Sequence, residues 1–186
     1  MVESLLGERE YTAPPSLDDR PSGATATDQA AMRLASRVSV TFVQPERFTD
    51  VKVSLLASPK GTADLLAEID RYLHAAGERY VPPGLALEIQ VTNIDLAGEF
   101  EPWRGPQFDR IRIMRDVYVP RFELTFRLTD GTGAVVKEGR RVLVDQLYLS
   151  SAALNDGDRP YYDKQLLRGW LRQEFASGAQ ASRPSP

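Results

Sequence analysis

Two carboxylates flank a glycine at the point where a predicted strand bends into a long loop. Asp95 and Glu99 stand on either side of Gly98, and Glu101 follows closely. Paired carboxylates can carry out acid–base chemistry or bind a hard cation, but the spacing of a calcium loop and a second ligand cluster are both absent from the sequence. The alternative is structural: Asp95 would accept backbone N–H bonds in the turn while Gly98 takes a positive φ angle.

A tryptophan followed by an arginine lies in the same loop. Trp103 and Arg104 have Phe100 and Phe108 on either side. If exposed, such a pair would suit a ligand or a partner protein, because an aromatic ring offers a large apolar area with little entropy to lose. The same residues could instead fold back as a small apolar cluster beneath their own loop. The sequence leaves both interpretations open.

The middle of the chain is basic although the chain as a whole is acidic. The protein has 23 basic and 26 acidic residues, whereas residues 104–141 hold nine basic against five acidic side chains. Strand alternation predicts a polar face that contains Arg112 and another that contains Glu123 and Arg127. Such a face could bind lipid or nucleic-acid phosphates, or it could be a solvated surface with ion pairs such as Arg112 with Glu123. The net charge of -3 weighs against nucleic acid.

The remaining chemically capable residues are few. Tyr162 and Lys164 could form a polar site at the start of the last helix, although Tyr162 also suits the core with its hydroxyl at the surface. His74 is the only histidine and has no evident partners for a catalytic base, so a surface or half-buried position is expected. Because cysteine is absent and histidine is single, we expect neither a metal nor a cofactor.

These candidates are positioned by a pattern of elements between residues 37 and 176, which we interpret as a single domain. The pattern predicts, in order, a strand at Val38–Val43, a helix at Thr62–Tyr80, a strand from Leu85 to Thr92 with a bulge near Asn93, a meander of strands beginning at Ile111, Phe122 and Ala134, and a helix from about Pro160 to Phe175. Only the first strand–helix–strand unit permits a parallel crossover. We therefore predict a two-layer α+β domain with a mostly antiparallel sheet of about five strands and two main helices on one face.

The last predicted helix has one apolar side. Its apolar residues recur at helical spacing and are Leu166, Leu167, Trp170, Leu171 and Phe175. We expect this stripe to face the sheet and Arg168 to point outward.

Both ends of the chain are predicted to be disordered tails. Residues 1–36 and 177–186 are rich in Pro, Gly, Ser and Ala and show no hydrophobic period. The first residues carry Glu3, Glu8 and Glu10 where a secretory signal would be basic, which favours a cytoplasmic protein if the numbering begins at the native terminus. The apolar runs are too short for a transmembrane segment, which takes roughly 20 residues.

Several short segments together resemble a bacterial family. The most specific is Asp95-Leu96-Ala97-Gly98-Glu99, and the others are Thr49-Asp50-Val51, Ile111-Arg112, Pro120-Arg121, Asp145 with Tyr148, and Tyr162-Asp163-Lys164 running to Trp170. Over residues 38–175 the chain resembles the proteobacterial domain-of-unknown-function family with the serial number three thousand and sixteen. Members are usually exported, so the resemblance implies a periplasmic setting, and it implies no activity.

Two classes of function fit these observations. The first is a non-catalytic envelope protein that binds or scaffolds an unidentified protein or an anionic envelope component. The second is a small hydrolase or lyase that uses Asp95, Glu99 and Tyr148. The candidate binding residues are Asp50, Asp95, Glu99, Trp103, Arg104, Arg112, Tyr162 and Lys164.

Overall fold

The computed structural model of the chain describes residues 36–52, 59–151 and 160–175. Apart from Ser36, the two predicted tails lie outside the described residues. Ser36 itself is attached to the domain, because its hydroxyl donates a hydrogen bond of 2.8 Å to the Glu78 carboxylate.

The described chain forms two helices, a four-stranded sheet and a two-stranded sheet. In chain order the elements are β1 Val38–Phe42, α1 Pro59–Tyr80, β2 Ala86–Asp95, β3 Glu99–Phe100, β4 Arg112–Ile113, β5 Arg121–Thr129, β6 Val135–Val144 and α2 Tyr161–Phe175. The main sheet has the order β1-β2-β5-β6. Strands β1 and β2 are parallel, and the other neighbours are antiparallel. The predicted α+β class and its single parallel crossover are confirmed.

Helix α1 packs against the sheet with one apolar face, and a glycine allows close contact with β1. Leu65, Ile69 and Leu73 recur at helical spacing and are buried. At Gly77 an added Cβ would lie 2.8 Å from a methyl group of Val38, so the absence of a side chain lets α1 approach β1 closely. The helix ends where the sequence reaches Val81 and two prolines, as predicted.

Strand β2 changes the phase of its alternation near its end. Leu87, Ile89 and Val91 are buried, and the register with β5 then shifts between Val91 and Asn93. This irregularity confirms the predicted bulge and returns Ile94 to the core, where it is fully buried.

The predicted meander is wrong in its first strand. Residues Arg112–Ile113 form only a two-residue strand, which pairs with Glu99–Phe100 in the small second sheet. Two short 3-10 helices, Pro102–Arg104 and Pro106–Arg110, lie between these strands and turn the chain back on itself. We call residues 99–118, which contain both short strands and both 3-10 helices, the excursion. Because β3 and β4 of the excursion pair with each other, β5 pairs with β2 instead. The main sheet thus has four strands, and Arg112 is not on its polar face.

Helix α2 closes the core as predicted. Leu167 and Leu171 are fully buried, and Trp170 is 6% exposed. The Phe126 ring of β5 meets the Trp170 ring edge-on at a centroid distance of 5.9 Å. Arg168 points to solvent. Both helices pack on the same face of the sheet, and on the opposite face side chains such as Glu88 of β2 and Val136 of β6 are exposed.

Among the described residues, neither helix combines the length and the apolar character needed to cross a membrane.

Candidate functional site

Two aspartates from distant segments meet at the end of β2. Asp50 and Asp95 form an isolated parallel bridge. The Asp50 backbone N–H donates to the Ile94 carbonyl at 3.0 Å, and the Leu96 N–H donates to the Asp50 carbonyl at 3.3 Å. The backbone therefore places a carboxylate from each segment at the same edge of the sheet.

Arg112 connects this edge to the turn that follows β2. Its Nη2 donates to Asp50 Oδ2 at 2.6 Å and to the Lys52 carbonyl at 3.0 Å. Its Nη1 donates to three successive carbonyls of residues 96–98, of which Gly98 is the nearest at 2.6 Å. The guanidinium also lies over the Phe100 ring, 4.8 Å from its centroid. One arginine thus holds the turn, the segment that follows β1 and the second sheet together.

The turn needs Gly98 for two reasons. Its φ angle is +79°, in the region that side chains disfavour. An added Cβ would also lie 2.9 Å from the Ile113 carbonyl oxygen. This confirms the positive φ expected for Gly98 and explains how β4 and Arg112 can approach the turn so closely.

Asp163 reaches the same turn from the first turn of α2. Its Oδ1 accepts a hydrogen bond of 3.1 Å from the Ala97 backbone N–H, and the residue is 2% exposed. Burial raises the pKa of Asp163 to about 7, although the Ala97 N–H and the positive charge of Arg112 act in the opposite direction. Near neutral pH this carboxyl is therefore present in both protonation states.

Asp95 is affected in the same direction. Burial raises its pKa, and the negative charges of Asp50 and Glu99 add to the effect. Arg112 and Arg121 partly compensate. A group of carboxyls with raised pKa values beside an arginine can hold and transfer protons, which is the chemistry of a general acid or base.

Three of the eight predicted site residues come together here, with a fourth at the margin. Asp50, Asp95 and Arg112 form the cluster. Glu99 is half-buried, accepts a bond of 2.8 Å from the Phe100 N–H, and influences Asp95 through its charge. The predicted pair of Arg112 with Glu123 is wrong, because Glu123 pairs with two other arginines of the sheet, Arg121 and Arg140.

The remaining predicted residues lie in other contacts. The Tyr162 ring packs edge-on against Tyr148, with centroids 4.8 Å apart. Lys164 pairs with Glu68 of α1 at 2.7 Å. Both therefore serve the packing of α2 against its neighbours.

Asp163 was missed by the sequence analysis, although the quoted family segment contains it. A signal was present: Asp163 precedes Leu167 by four residues and so lies on the apolar stripe of α2. An acidic residue on a buried stripe requires a partner or a raised pKa. This placement would have distinguished it from the exposed residues of α2, such as Arg168.

A second buried carboxylate holds the excursion between β3 and β5. Glu101 is 1% exposed and accepts a hydrogen bond of 2.9 Å from Arg115. Arg104 lies 3.3 Å from the same carboxylate, and the Tyr118 hydroxyl donates to it at 3.2 Å. The Tyr148 hydroxyl in turn donates to the Arg115 carbonyl at 2.9 Å. These bonds fix the 3-10 helices without covering their outer side.

Trp103 lies on that uncovered side. Its exposed fraction is 71%, and Val117 later in the excursion is 76% exposed. The Arg104 guanidinium is over the Phe108 ring, 5.1 Å from its centroid. Of the two interpretations of this loop, the small cluster beneath it applies to Phe100, which is 3% exposed, but not to Trp103.

In the ranges that the structure describes, no three His, Asp or Glu side chains are close enough together to hold a metal ion.

The fold and the site define a small α+β domain whose sheet end is joined by a buried carboxylate–arginine cluster. Residues 36–173 match the family model described as Protein of unknown function (DUF3016), and the chain belongs to this family. Comparison with curated proteins and with solved structures gave no significant match.

Proposed function

We propose that this protein is a non-catalytic envelope protein that binds a partner protein through the excursion of residues 99–118, with Trp103 as the anchor. The observation that carries the proposal is the combination of a 71% exposed Trp103 with a rigid base formed by the buried Glu101. A backbone segment that is already held in place loses little conformational entropy on binding, so the entropy cost falls mainly on the Trp103 side chain. Tryptophan and arginine are also the residues that contribute most often to protein interfaces.

The state of the carboxylate cluster supports a structural rather than catalytic role for it. Both terminal nitrogens of Arg112 donate to groups of the protein itself, namely Asp50 and backbone carbonyls. Asp163 is 2% exposed, so a substrate could reach it only after a rearrangement. The envelope setting of the proposal comes from the resemblance of the family segments to exported proteins.

The test uses immobilised full-length protein and an envelope extract. Wild type should retain a stoichiometric protein partner, and Trp103→Ala should weaken the Kd for that purified partner by more than about tenfold, a loss of 1.4 kcal/mol or more. Val43→Ala, which shortens an exposed apolar side chain outside the excursion, should leave the Kd unchanged. Equal binding by wild type and Trp103→Ala would overturn the proposal.

The fluorescence of Trp103 gives an independent readout. Of the two tryptophans, Trp103 is exposed and Trp170 is buried, so quenching by iodide should report mainly on Trp103. Partner binding should protect Trp103 from iodide. Unchanged quenching at saturating partner would place the interface elsewhere.

A second candidate function is a carboxylate-dependent hydrolase or lyase. The observation that favours it is the pKa of Asp163, which burial raises to about 7, next to Asp95 with a pKa raised in the same direction. Wild-type turnover of an ester or glycoside that disappears in a folded Asp163→Asn variant would support this candidate. The same turnover would count against a purely binding role.

A further inference from the structure

Strand β6 forms an open edge of the main sheet. It is ten residues long and pairs with β5 on one side. Within the described ranges, no strand pairs with its other side. An edge of this length exposes a row of backbone donors and acceptors that can pair with another strand.

The sequence of β6 is complementary to itself when the strand is reversed. Around Gly139, the order Val136, Lys137, Glu138 is followed by Arg140, Arg141, Val142. If two copies run antiparallel with glycine opposite glycine, Glu138 faces Arg140 of the second copy and Val136 faces Val142 of the second copy. We propose that β6 pairs in this register with β6 of a second copy of this chain, about a twofold axis at Gly139.

The side chains that would meet on the open face are exposed in the single chain. Val136 is 54% and Val142 is 50% exposed. The side chains of Glu138 and Arg140 are 58% and 68% exposed. Pairing would bury valine against valine and place opposite charges together, and both kinds of cross-strand pair are favourable.

Ion pairs already present on the open face extend this pattern across the proposed axis. Within one chain, Arg127 lies 3.2 Å from Glu138, and Arg140 lies 2.8 Å from Glu123. Across the axis, Glu138 would lie between Arg127 of its own chain and Arg140 of the second copy. Arg127 and Glu138 of one chain, followed by Arg140 and Glu123 of the second copy, would then form a row of charges with alternating sign.

The same charges exclude the neighbouring registers. A shift that keeps the faces matched would place either Glu138 opposite Glu138 or Arg140 opposite Arg140. Like charges directly opposite each other destabilise a strand pair. One register is therefore selected over the two beside it.

The helix face of β6 is compatible with this register. There Lys137 would face Arg141 of the second copy, a pair of like charges. Each already has a carboxylate partner in its own chain, since Glu174 lies 2.7 Å from Lys137 and 2.8 Å from Arg141. That carboxylate reduces the repulsion across the axis.

The first test reverses the two charges separately and measures mass by sedimentation over a concentration series of the full chain. Wild type should form dimers. Glu138→Arg and Arg140→Glu should each raise the dimer Kd by more than about tenfold, because each places like charges across the axis. An equimolar mixture of the two variants should dimerise again, since the arginines of one chain then face the glutamates of the other.

The controls are matched charge reversals on α1. Asp64→Arg and Lys60→Glu alter an exposed ion pair whose side chains are 67% and 84% exposed. Neither should change the dimer Kd. The double variant Glu138→Arg with Arg140→Glu again places opposite charges across the axis, although it reverses the in-chain pairs with Arg127 and Glu123, and it should dimerise more tightly than either single variant. It therefore keeps the test valid if a single reversal prevents folding.

A cysteine at the axis supplies a second readout. The chain contains no cysteine, so Gly139→Cys introduces a single thiol, and an added Cβ there meets only the mobile end of Arg141 within 3 Å. Opposite residues in antiparallel strands are about 4.5 to 5.5 Å apart at Cα, which a disulfide can span. Gly139→Cys should form a covalent dimer on mild oxidation, whereas Val142→Cys should not.

Four results would overturn the proposal. A wild-type chain that stays monomeric up to millimolar concentration has no such interface. Dimers that persist in both single reversals use another surface. Failure of the mixed variants to associate, or equal cross-linking of the two cysteine variants, would refute the stated register.

Discussion

At the scale of single residues, a few buried charged side chains connect distant segments of the chain. Asp50, Asp163 and Arg112 belong to three segments far apart in the chain, yet they surround one turn after β2. Each charge is costly to bury without a partner. Arg112 donates to Asp50, whereas Asp163 accepts from the Ala97 N–H and is affected by Arg112 only through its positive charge. The cluster should therefore respond strongly to the loss of one member.

Asp163→Asn should remove a dependence of stability on pH. The pKa of Asp163 is raised by burial from 3.8 to about 7, so between these values the folded protein retains a proton that the unfolded chain has released. The contribution of Asp163 to the free energy of unfolding consequently falls as the pH rises through this window and does not change further above it.

Asparagine keeps an oxygen for the Ala97 N–H and does not titrate. Above pH 7 the variant should be more stable than wild type by up to about 4 kcal/mol, and below pH 4 the difference should vanish. Urea unfolding at a series of pH values measures this, with the exposed Asp64→Asn as the control. Parallel pH profiles for wild type and Asp163→Asn would contradict the assignment.

Arg112→Ala should be strongly destabilising. It leaves the Asp50 carboxylate, whose side chain is 10% exposed, without its positive partner and removes the donor to the Gly98 carbonyl. The expected loss in urea unfolding is about 3 to 5 kcal/mol. Arg127→Ala, which breaks an exposed pair, should cost about 1 kcal/mol or less.

A double variant separates the lost ion pair from the lost packing. In Asp50→Asn with Arg112→Ala, no unpaired charge remains at this position, so part of the stability should return. If the two single losses simply add, the two side chains are not coupled as the structure indicates.

At the scale of elements, short-range patterns were predicted well and strand partners less so. The helix predicted at Thr62–Tyr80 and the bulge near Asn93 follow from local periodicity, although the helix begins three residues earlier than predicted, at Pro59. The prediction was wrong for the first strand of the meander. Arg112–Ile113 is too short for its sequence to indicate a partner, and it pairs with the equally short Glu99–Phe100. The local pattern indicates that a segment is extended. Which strand it pairs with depends on the path of the chain between the two strands.

Trp170→Ala should show how much helix α2 contributes to the core. Trp170 packs against Phe126 and Phe175, and removing a buried aromatic side chain costs about 3 to 5 kcal/mol. Arg168→Ala, on the exposed side of the same helix, should cost about 0.5 kcal/mol or less. The midpoint of urea unfolding measures both. An unchanged midpoint for Trp170→Ala would mean that the helix is not part of the cooperative core.

At the scale of the whole molecule, one core joins both helices to one face of the sheet. The buried residues of this core come from α1, α2, β1, β2 and β5, together with residues that follow β1, α1 and β2. The opposite face is open, and β6 and the excursion provide the two surfaces proposed for binding. The candidate interfaces are thus outside the core, so their variants should alter association without unfolding the domain.

Deletion of residues 1–35 should leave the fold intact. The composition of this segment predicts no buried core of its own, and the deletion preserves Ser36 with its bond to Glu78. The melting temperature should change by less than about 3 °C. A larger drop would show that the segment docks on the domain and would contradict the compositional argument.

Features that depend on neighbours a few residues apart could be predicted from the sequence alone. These include the α+β class, the apolar stripe of α2 and the extended segments that form β5 and β6. The candidate cluster could be predicted only in part. Asp163 is 66 residues from its partner Ala97 along the sequence, and Arg112 is 62 residues from Asp50. Such contacts have no period in the sequence. They arise only when packing of the helices and closure of the excursion bring separate segments to one turn, and burial there then raises the pKa of Asp163.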